Sequence, residues 1–181
     1  MKKAIDFIKP AVILLLVAAV VALVLGLVDM MTRDRIEAIA EQTKTNAMNA
    51  VLEAPSYEAL DVTGAPADID EAYAAEGGGW VVQVAETGSQ GAVTMMVGVN
   101  PDLTCSGISV TKSSETAGLG AIASQQSAAG DAFRSQFVGQ SGTVAVTKDG
   151  GTINALTGAT ITSRAISTGV TAALALCESL G

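Results

Sequence analysis

The sequence predicts an α+β protein: one membrane-crossing helix at the amino end, a stalk helix behind it, and a single domain with a mainly antiparallel sheet and flanking helices. Three observations carry this. Residues 10–28, PAVILLLVAAVVALVLGLV, are uncharged and almost wholly apolar. Between residues 80 and 151, several short segments alternate apolar and polar side chains around Gly-containing turns. Helical periodicity returns on both sides of them, in residues 32–52 and 162–180. Strands enclosed by helices, rather than alternating with them, point to the α+β class.

The apolar run comes first. As a helix it spans about 28 Å, close to the ~30 Å hydrocarbon core of a bilayer. It exceeds the apolar stretch of a cleaved leader, and GLVDMMTRD offers no small-x-small cleavage site, so it reads as an anchor over residues 10–29. Lys2, Lys3 and Lys9 precede it with only Asp6 against them, which sets residues 1–9 in the cytoplasm and the remainder outside. Residues 30–55 read as a stalk helix. Ile36, Ile39, Ala40, Ala47, Met48, Val51 and Leu52 recur at three- and four-residue spacing, the stripe docks on the domain, and Pro55 ends it.

Residues 56–181 form the expected domain. DVTGAPADIDE (61–71) reads as a loop punctuated by Gly64 and Pro66. WVVQVAE (80–86) and VTMMVGVN (93–100) read as strands joined by the turn TGSQG, and TCSGISVTK (104–112) as a third. SGTVAVTKDGG (141–151) reads as a further strand ending at an Asp-Gly turn. SAAGDAFRSQF (127–137) reads as a short helix with Ala132, Phe133 and Phe137 inward. The final helix, Thr162 to Leu180, turns Ile166, Val170, Ala173, Leu174 and Cys177 to one face.

Composition removes whole classes of chemistry. The chain has no histidine, which excludes imidazole metal sites and histidine acid–base catalysis. Cys105 and Cys177 belong to no CxxC motif and read as isolated packing residues, with a disulfide between them as the alternative that spacing does not decide; two thiols alone do not supply the four ligands of an iron–sulfur cluster. No metal site and no catalytic side chain is expected. Residues 30–181 carry sixteen acids against seven bases, a formal −9, which disfavours nucleic acid as a partner. Redox chemistry in such a chain has to come from an organic cofactor.

LTGATITSRAIS (156–167) opens the last helix. A Thr at such a turn most often caps the helix by accepting a backbone amide. The same place suits an anion, because the first amides of a helix lack partners and the dipole favours negative charge. Gly158 and Ala159 are small enough to let a phosphate ester approach.

NALTGATITSRAI resembles the flavinylation signature D-x-x-[S/T]-G-A-T. That signature belongs to the FMN-binding domains of the G subunits of Rnf-type ferredoxin:NAD⁺ oxidoreductases and the C subunits of sodium-translocating NADH:quinone reductases. ETAGLG at 115–120 is similar to the same family's E-T-P-G-L-G motif, and the anchor with TNAMNAVLEA resembles its amino-terminal part. The resemblance implies FMN joined by a phosphoester to Thr160, with Thr157, Gly158 and Ala159 forming the acceptor turn. It also implies that Glu115 and Thr116 hydrogen-bond the flavin's polar edge, that Gly118 and Gly120 bring amides close to its ring, and that Leu119 covers a face. Lys112 and Lys148 are candidates to balance phosphate or reduced-flavin charge. Asn154 stands where the signature has Asp, and Ala117 where the second motif has Pro.

A threonine hydroxyl is a weak nucleophile, so the resemblance implies a separate, magnesium-using flavin transferase during maturation. It further implies an electron-transfer component of a cell-membrane complex, working with other membrane and peripheral subunits. The short chain favours the Rnf-type complex over the quinone reductase. A non-redox anchored binding or scaffold domain is the alternative from another class.

Overall fold

The computed structural model describes residues 2–181, except the side chains of residues 2–9, 11, 34 and 37. Lys2, Lys3 and Lys9, on which the expected orientation rests, lie outside the described side chains.

The chain divides into two units, residues 1–42 and 43–181. The first consists of the amino-terminal part of α1 (Lys2–Val51). Within it, Val12–Arg33 is long and apolar enough to cross a membrane, with a mean hydropathy of 3.0 and no side chain buried. The helix is unbroken across residues 29 and 30, where the sequence reading divides anchor from stalk. Ile36, Ile39 and Ala40, expected in the docking stripe, are exposed.

The second unit is an antiparallel five-stranded meander in sequence order: β1 (Tyr57–Leu60), β2 (Ile69–Ala75), β3 (Trp80–Thr87), β4 (Ala92–Val99) and β5 (Cys105–Ser113). The central strands are covered on both faces. Val82, Val84, Met95 and Val97 point into the main core, whereas Val81 and Met96, one residue out of phase, meet Ala47, Met48 and Val51 of α1. Close approach of α1 requires Gly98, where a side chain would come within 2.5 Å of the Val51 carbonyl oxygen. That carbonyl, orphaned at the helix end, accepts the Ser106 hydroxyl at 2.5 Å.

The main core is closed by α2 (Ala128–Ser135) and α3 (Thr160–Leu180). Ser127 caps α2 by accepting the Gly130 amide. Phe133 and Phe137 are buried edge to face with centroids 5.4 Å apart, Phe137 lying beyond the end of α2 at Ser135, but Ala132 is exposed, on the side of α2 that carries Ala128, Ala129 and Ser135 outward. In α3, Ile166, Val170, Ala173, Leu174 and Cys177 are all buried. Gly169 lies over Met95 and Val84, bringing the helix backbone close to β3 and β4.

Two expectations about strands change. Ile69–Glu71, read as loop, begins β2; its buried residues Ile69, Ala72 and Ala75 are three apart, the register shifts between Ile69 and Glu71, and no period-two apolar signal results. Residues 141–151 form no strand. The Val144 amide donates to Thr171 Oγ1 of α3 at 2.9 Å, and Val146 makes a single parallel bridge to Ile153. Between them the chain folds back through a 3-10 turn, Thr147–Asp149, ended by Gly150 at φ 87°.

Candidate functional site

The acceptor turn is built from the backbone outward. Helix α3 starts two residues earlier than the periodicity suggests, at Thr160 itself, with Ala159 as N-cap and no side chain capping it. Thr160 is therefore the first helical residue, and its half-buried hydroxyl is not spent on the helix end. Its hydrogen-bond partner is the ammonium of Lys148, which donates to Oγ1 at 3.4 Å.

Ser163 fixes the turn from below. Its hydroxyl accepts the Leu156 amide at 3.0 Å and donates to the Ala159 carbonyl at 2.9 Å, closing the loop that Gly158 turns at φ 75°. A side chain at Gly158 would come within 2.9 Å of Leu119 Cδ2, so the two sequence motifs meet at this point. Beside the turn lies a cleft of about 310 Å³, lined by Lys148, Asn154, Thr157, Gly158 and Thr160 among others.

The ETAGLG loop is held by its own acid. Glu115 Oε1 accepts the Ser89 amide at 2.7 Å and the Gln90 amide at 3.0 Å, and Oε2 accepts the Thr162 hydroxyl at 2.7 Å. Burial works to raise its pKa, yet the Gln90 amide, the Thr162 hydroxyl and the Ser89 amide outweigh it and hold the carboxyl below its ordinary range. Gly120 is buried against this junction: a side chain would sit 2.6 Å from both Glu115 Oε2 and Thr162 Oγ1. Gly118, at φ 77°, has open space instead. Thr116 is exposed, and its carbonyl accepts the Leu119 and Ala121 amides. Leu119 is 42% exposed, a large apolar side chain standing beside the cleft.

The structure thus gathers Thr157, Gly158, Ala159, Thr160 and Leu119 at one end of α3. Glu115 and Gly120 lie behind them, in contact with Thr162. Sequence reasoning misses Thr162 and Ser163, although two wholly buried polar residues on the inward side of an apolar helix are a usable signal. It also misses the clamp over the 3-10 turn, where Arg164 donates to Asp149 through Nε at 2.5 Å and Nη2 at 2.7 Å. Arg164 draws the Asp149 carboxyl below its ordinary range. Asn154 is tied by its backbone, its amide donating to Gln136 Oε1 and its carbonyl accepting Gln136 Nε2. Cys105 and Cys177 are free, buried thiols, and burial pushes them up to about 11 and about 12. No cluster suited to a metal ion occurs among the described residues.

The residues present suit a flavin phosphate. They offer a reachable hydroxyl, a cation beside it, partnerless first amides of a 21-residue helix, and a glycine turn that keeps side chains out of the way. An FMN-binding domain is the class that this fold and site define, and the model of that domain matches residues 88–175. The model of the RnfG N-terminal region matches residues 1–51.

Whole-chain relatives give the family. The chain is 32% identical over 196 aligned positions to the G subunit of the Na⁺-translocating ferredoxin:NAD⁺ oxidoreductase complex of Acetobacterium woodii, covering 95% of this chain and 92% of the relative. It is 31% identical over 171 positions to the G subunit of the ion-translocating oxidoreductase complex of Methanosarcina acetivorans, covering 87% of each. The G subunit of a proton-translocating ferredoxin:NAD⁺ oxidoreductase complex from Clostridium ljungdahlii is 40% identical over 106 positions, 54% of this chain and 55% of the relative. The chain belongs to the RnfG family, the G subunits of ion-translocating ferredoxin:NAD⁺ oxidoreductase complexes.

Proposed function

We propose that this protein is the membrane-anchored electron-transfer component of an Rnf-type complex and carries FMN as a phosphoester on Thr160 Oγ1. The observation that carries the linkage is the Thr160 hydroxyl: first in α3, unused as a cap, open to the cleft, and 3.4 Å from a lysine. Attachment forms the Oγ1–phosphorus bond and breaks the pyrophosphate bond of FAD. AMP leaves, the hydroxyl proton is released, and no electrons are exchanged. A magnesium-using transferase activates the acceptor, since the chain has no histidine to act as base.

Bound FMN supplies electron transfer that no side chain here offers. The chain's own residues fix the turn (Ser163), position the motif loop (Glu115) and keep bulk away from the phosphate (Gly158). Thr157, Ala159, Thr116, Gly118, Leu119 and Gly120 complete the proposed cradle, with Leu119 against one face of the ring. Other membrane and peripheral subunits deliver and withdraw the electrons.

In this reading residues 1–9 are cytoplasmic, 10–29 cross the membrane once, 30–55 form the stalk, and the domain of residues 56–181 is extracytoplasmic. The lysines at 2, 3 and 9 support that orientation. The full chain, made together with a flavin transferase, is expected to show one FMN-sized adduct by intact-mass spectrometry. Thr160→Ala abolishes the adduct and Thr160→Ser keeps it; an unmodified wild-type chain overturns the linkage.

A further inference from the structure

We propose that Lys148 is the counter-cation and orienting group for the phosphodiester on Thr160. This rests on the reading of Thr160 as the flavin acceptor. A phosphoryl group on Oγ1 places its nonbridging oxygens two bonds beyond the atom to which Lys148 already donates at 3.4 Å. Lys148 moves from the hydroxyl to one of those oxygens without changing its backbone.

Two observations set this lysine apart from an ordinary surface cation. Its position is fixed by contacts that do not involve its own charge. The 3-10 turn Thr147–Asp149 is closed by Gly150 in the left-handed region, and Gly151 passes so near the Ala145 backbone that no side chain fits there. The Asp149–Arg164 pair then ties the turn to α3. Arg164 lies one helical turn beyond Thr160, so Lys148–Thr160 and Asp149–Arg164 are two rungs between the same pair of elements.

Lys148 also forms no salt bridge of its own, although after Arg164 its charge helps to hold the Asp149 carboxyl below its ordinary range. Its one acidic sequence neighbour, Asp149, is taken up by Arg164. Among the described residues of 43–181, Lys44 pairs with Glu71, Arg134 with Asp131 and Arg164 with Asp149; Lys112 and Lys148 form no salt bridge, and of these two Lys148 is the one that reaches the acceptor hydroxyl. In a domain of strongly acidic balance, a cation held free beside the acceptor hydroxyl matches a monoanionic diester in sign and place. The partnerless amides at the start of α3 act on the same group from the other side.

The test uses the full chain in detergent with purified transferase, FAD and magnesium. Loading is followed by intact mass, and lysine acetylation is mapped before and after it. In wild type, loading is expected to protect Lys148 from acetylation and leave exposed Lys112 reactive. Lys148→Met is expected to load roughly 10–100-fold more slowly, the scale of one lost charge-assisted contact at a reacting group. Lys148→Arg, which keeps the charge, restores the rate to within a few-fold.

Equal acetylation of Lys148 in loaded and unloaded chains overturns the proposal, as does loading of Lys148→Met at the wild-type rate. If Lys148→Met does not fold, the footprint on wild type decides alone. A wild-type chain that never loads removes both this role and the Thr160 linkage; loading with unprotected Lys148 removes only this role.

Discussion

The Glu115 carboxylate and the Thr162 hydroxyl, 47 residues apart in sequence, meet at 2.7 Å directly behind the acceptor turn. Because the other carboxylate oxygen takes the Ser89 and Gln90 amides, one side chain joins the β3–β4 turn, the ETAGLG loop and the first turn of α3. Removing it as Glu115→Ala leaves the buried Thr162 hydroxyl without its acceptor, while the exposed Ser89 and Gln90 amides turn to water, and is expected to cost about 1–3 kcal/mol, read as a lower Tm of the domain. Glu115→Gln, which keeps the shape and one acceptor, costs less.

That carboxylate also sets a pH dependence. Its folded-state pKa lies below the ordinary value, so its contribution is present above the ordinary carboxylate range and lost as pH falls through the lower folded value. Thermal melts of wild type and Glu115→Gln are expected to differ at pH 7 and to converge towards pH 3. A constant gap across that range contradicts the assignment.

At Gly98 the sheet and the end of α1 leave no room for a methyl group, which would come within 2.5 Å of the Val51 carbonyl oxygen. Gly98→Ala is expected to destabilise the domain by about 1–3 kcal/mol through overpacking. Denaturant melts give the value.

The Asp149–Arg164 pair is exposed, so its loss as Arg164→Leu is expected to change the Tm little. The same variant releases the turn bearing Lys148, so flavin loading is expected to slow severalfold. A large fall in Tm with unchanged loading would assign the pair a purely structural role.

Cys105 and Cys177 are buried, and both thiols are pushed far above neutral pH, to about 11 and about 12. Neither is expected to react with maleimide in the native chain at pH 7, and both react after denaturation. A cysteine introduced at the exposed residue Thr63 therefore reports orientation against a silent background. An extracytoplasmic domain is labelled by an impermeant maleimide in intact cells or spheroplasts; labelling only after lysis makes it cytoplasmic.

The sequence disclosed the parts of the fold whose signal is local. Valine-rich alternation marked β3 and β4, and a one-sided apolar stripe marked α3. β2 escaped because its buried residues Ile69, Ala72 and Ala75 are three apart and give no period-two apolar signal. Residues 143–146, TVAV, alternate like a strand, yet the glycines at 150 and 151 fold the chain back and Thr171 takes the Val144 amide. At the site, Thr160 was visible as a residue type at a helix opening. The grip on Glu115 was not, because its partners lie 26, 25 and 47 residues away and only tertiary packing unites them.

The meander pairs each strand with its neighbour in sequence, so the sheet can be assembled as the chain is made, hairpin by hairpin. Its main core, however, is roofed by α3, a 21-residue helix that follows every strand in the chain. Thr160 opens that helix, and the Lys148, Leu119 and Glu115 surroundings converge only when it docks. The hydroxyl thus gains its setting only where α3 is packed on the sheet. On the proposed linkage, a flavin on Thr160 would mark a domain whose last helix is in place.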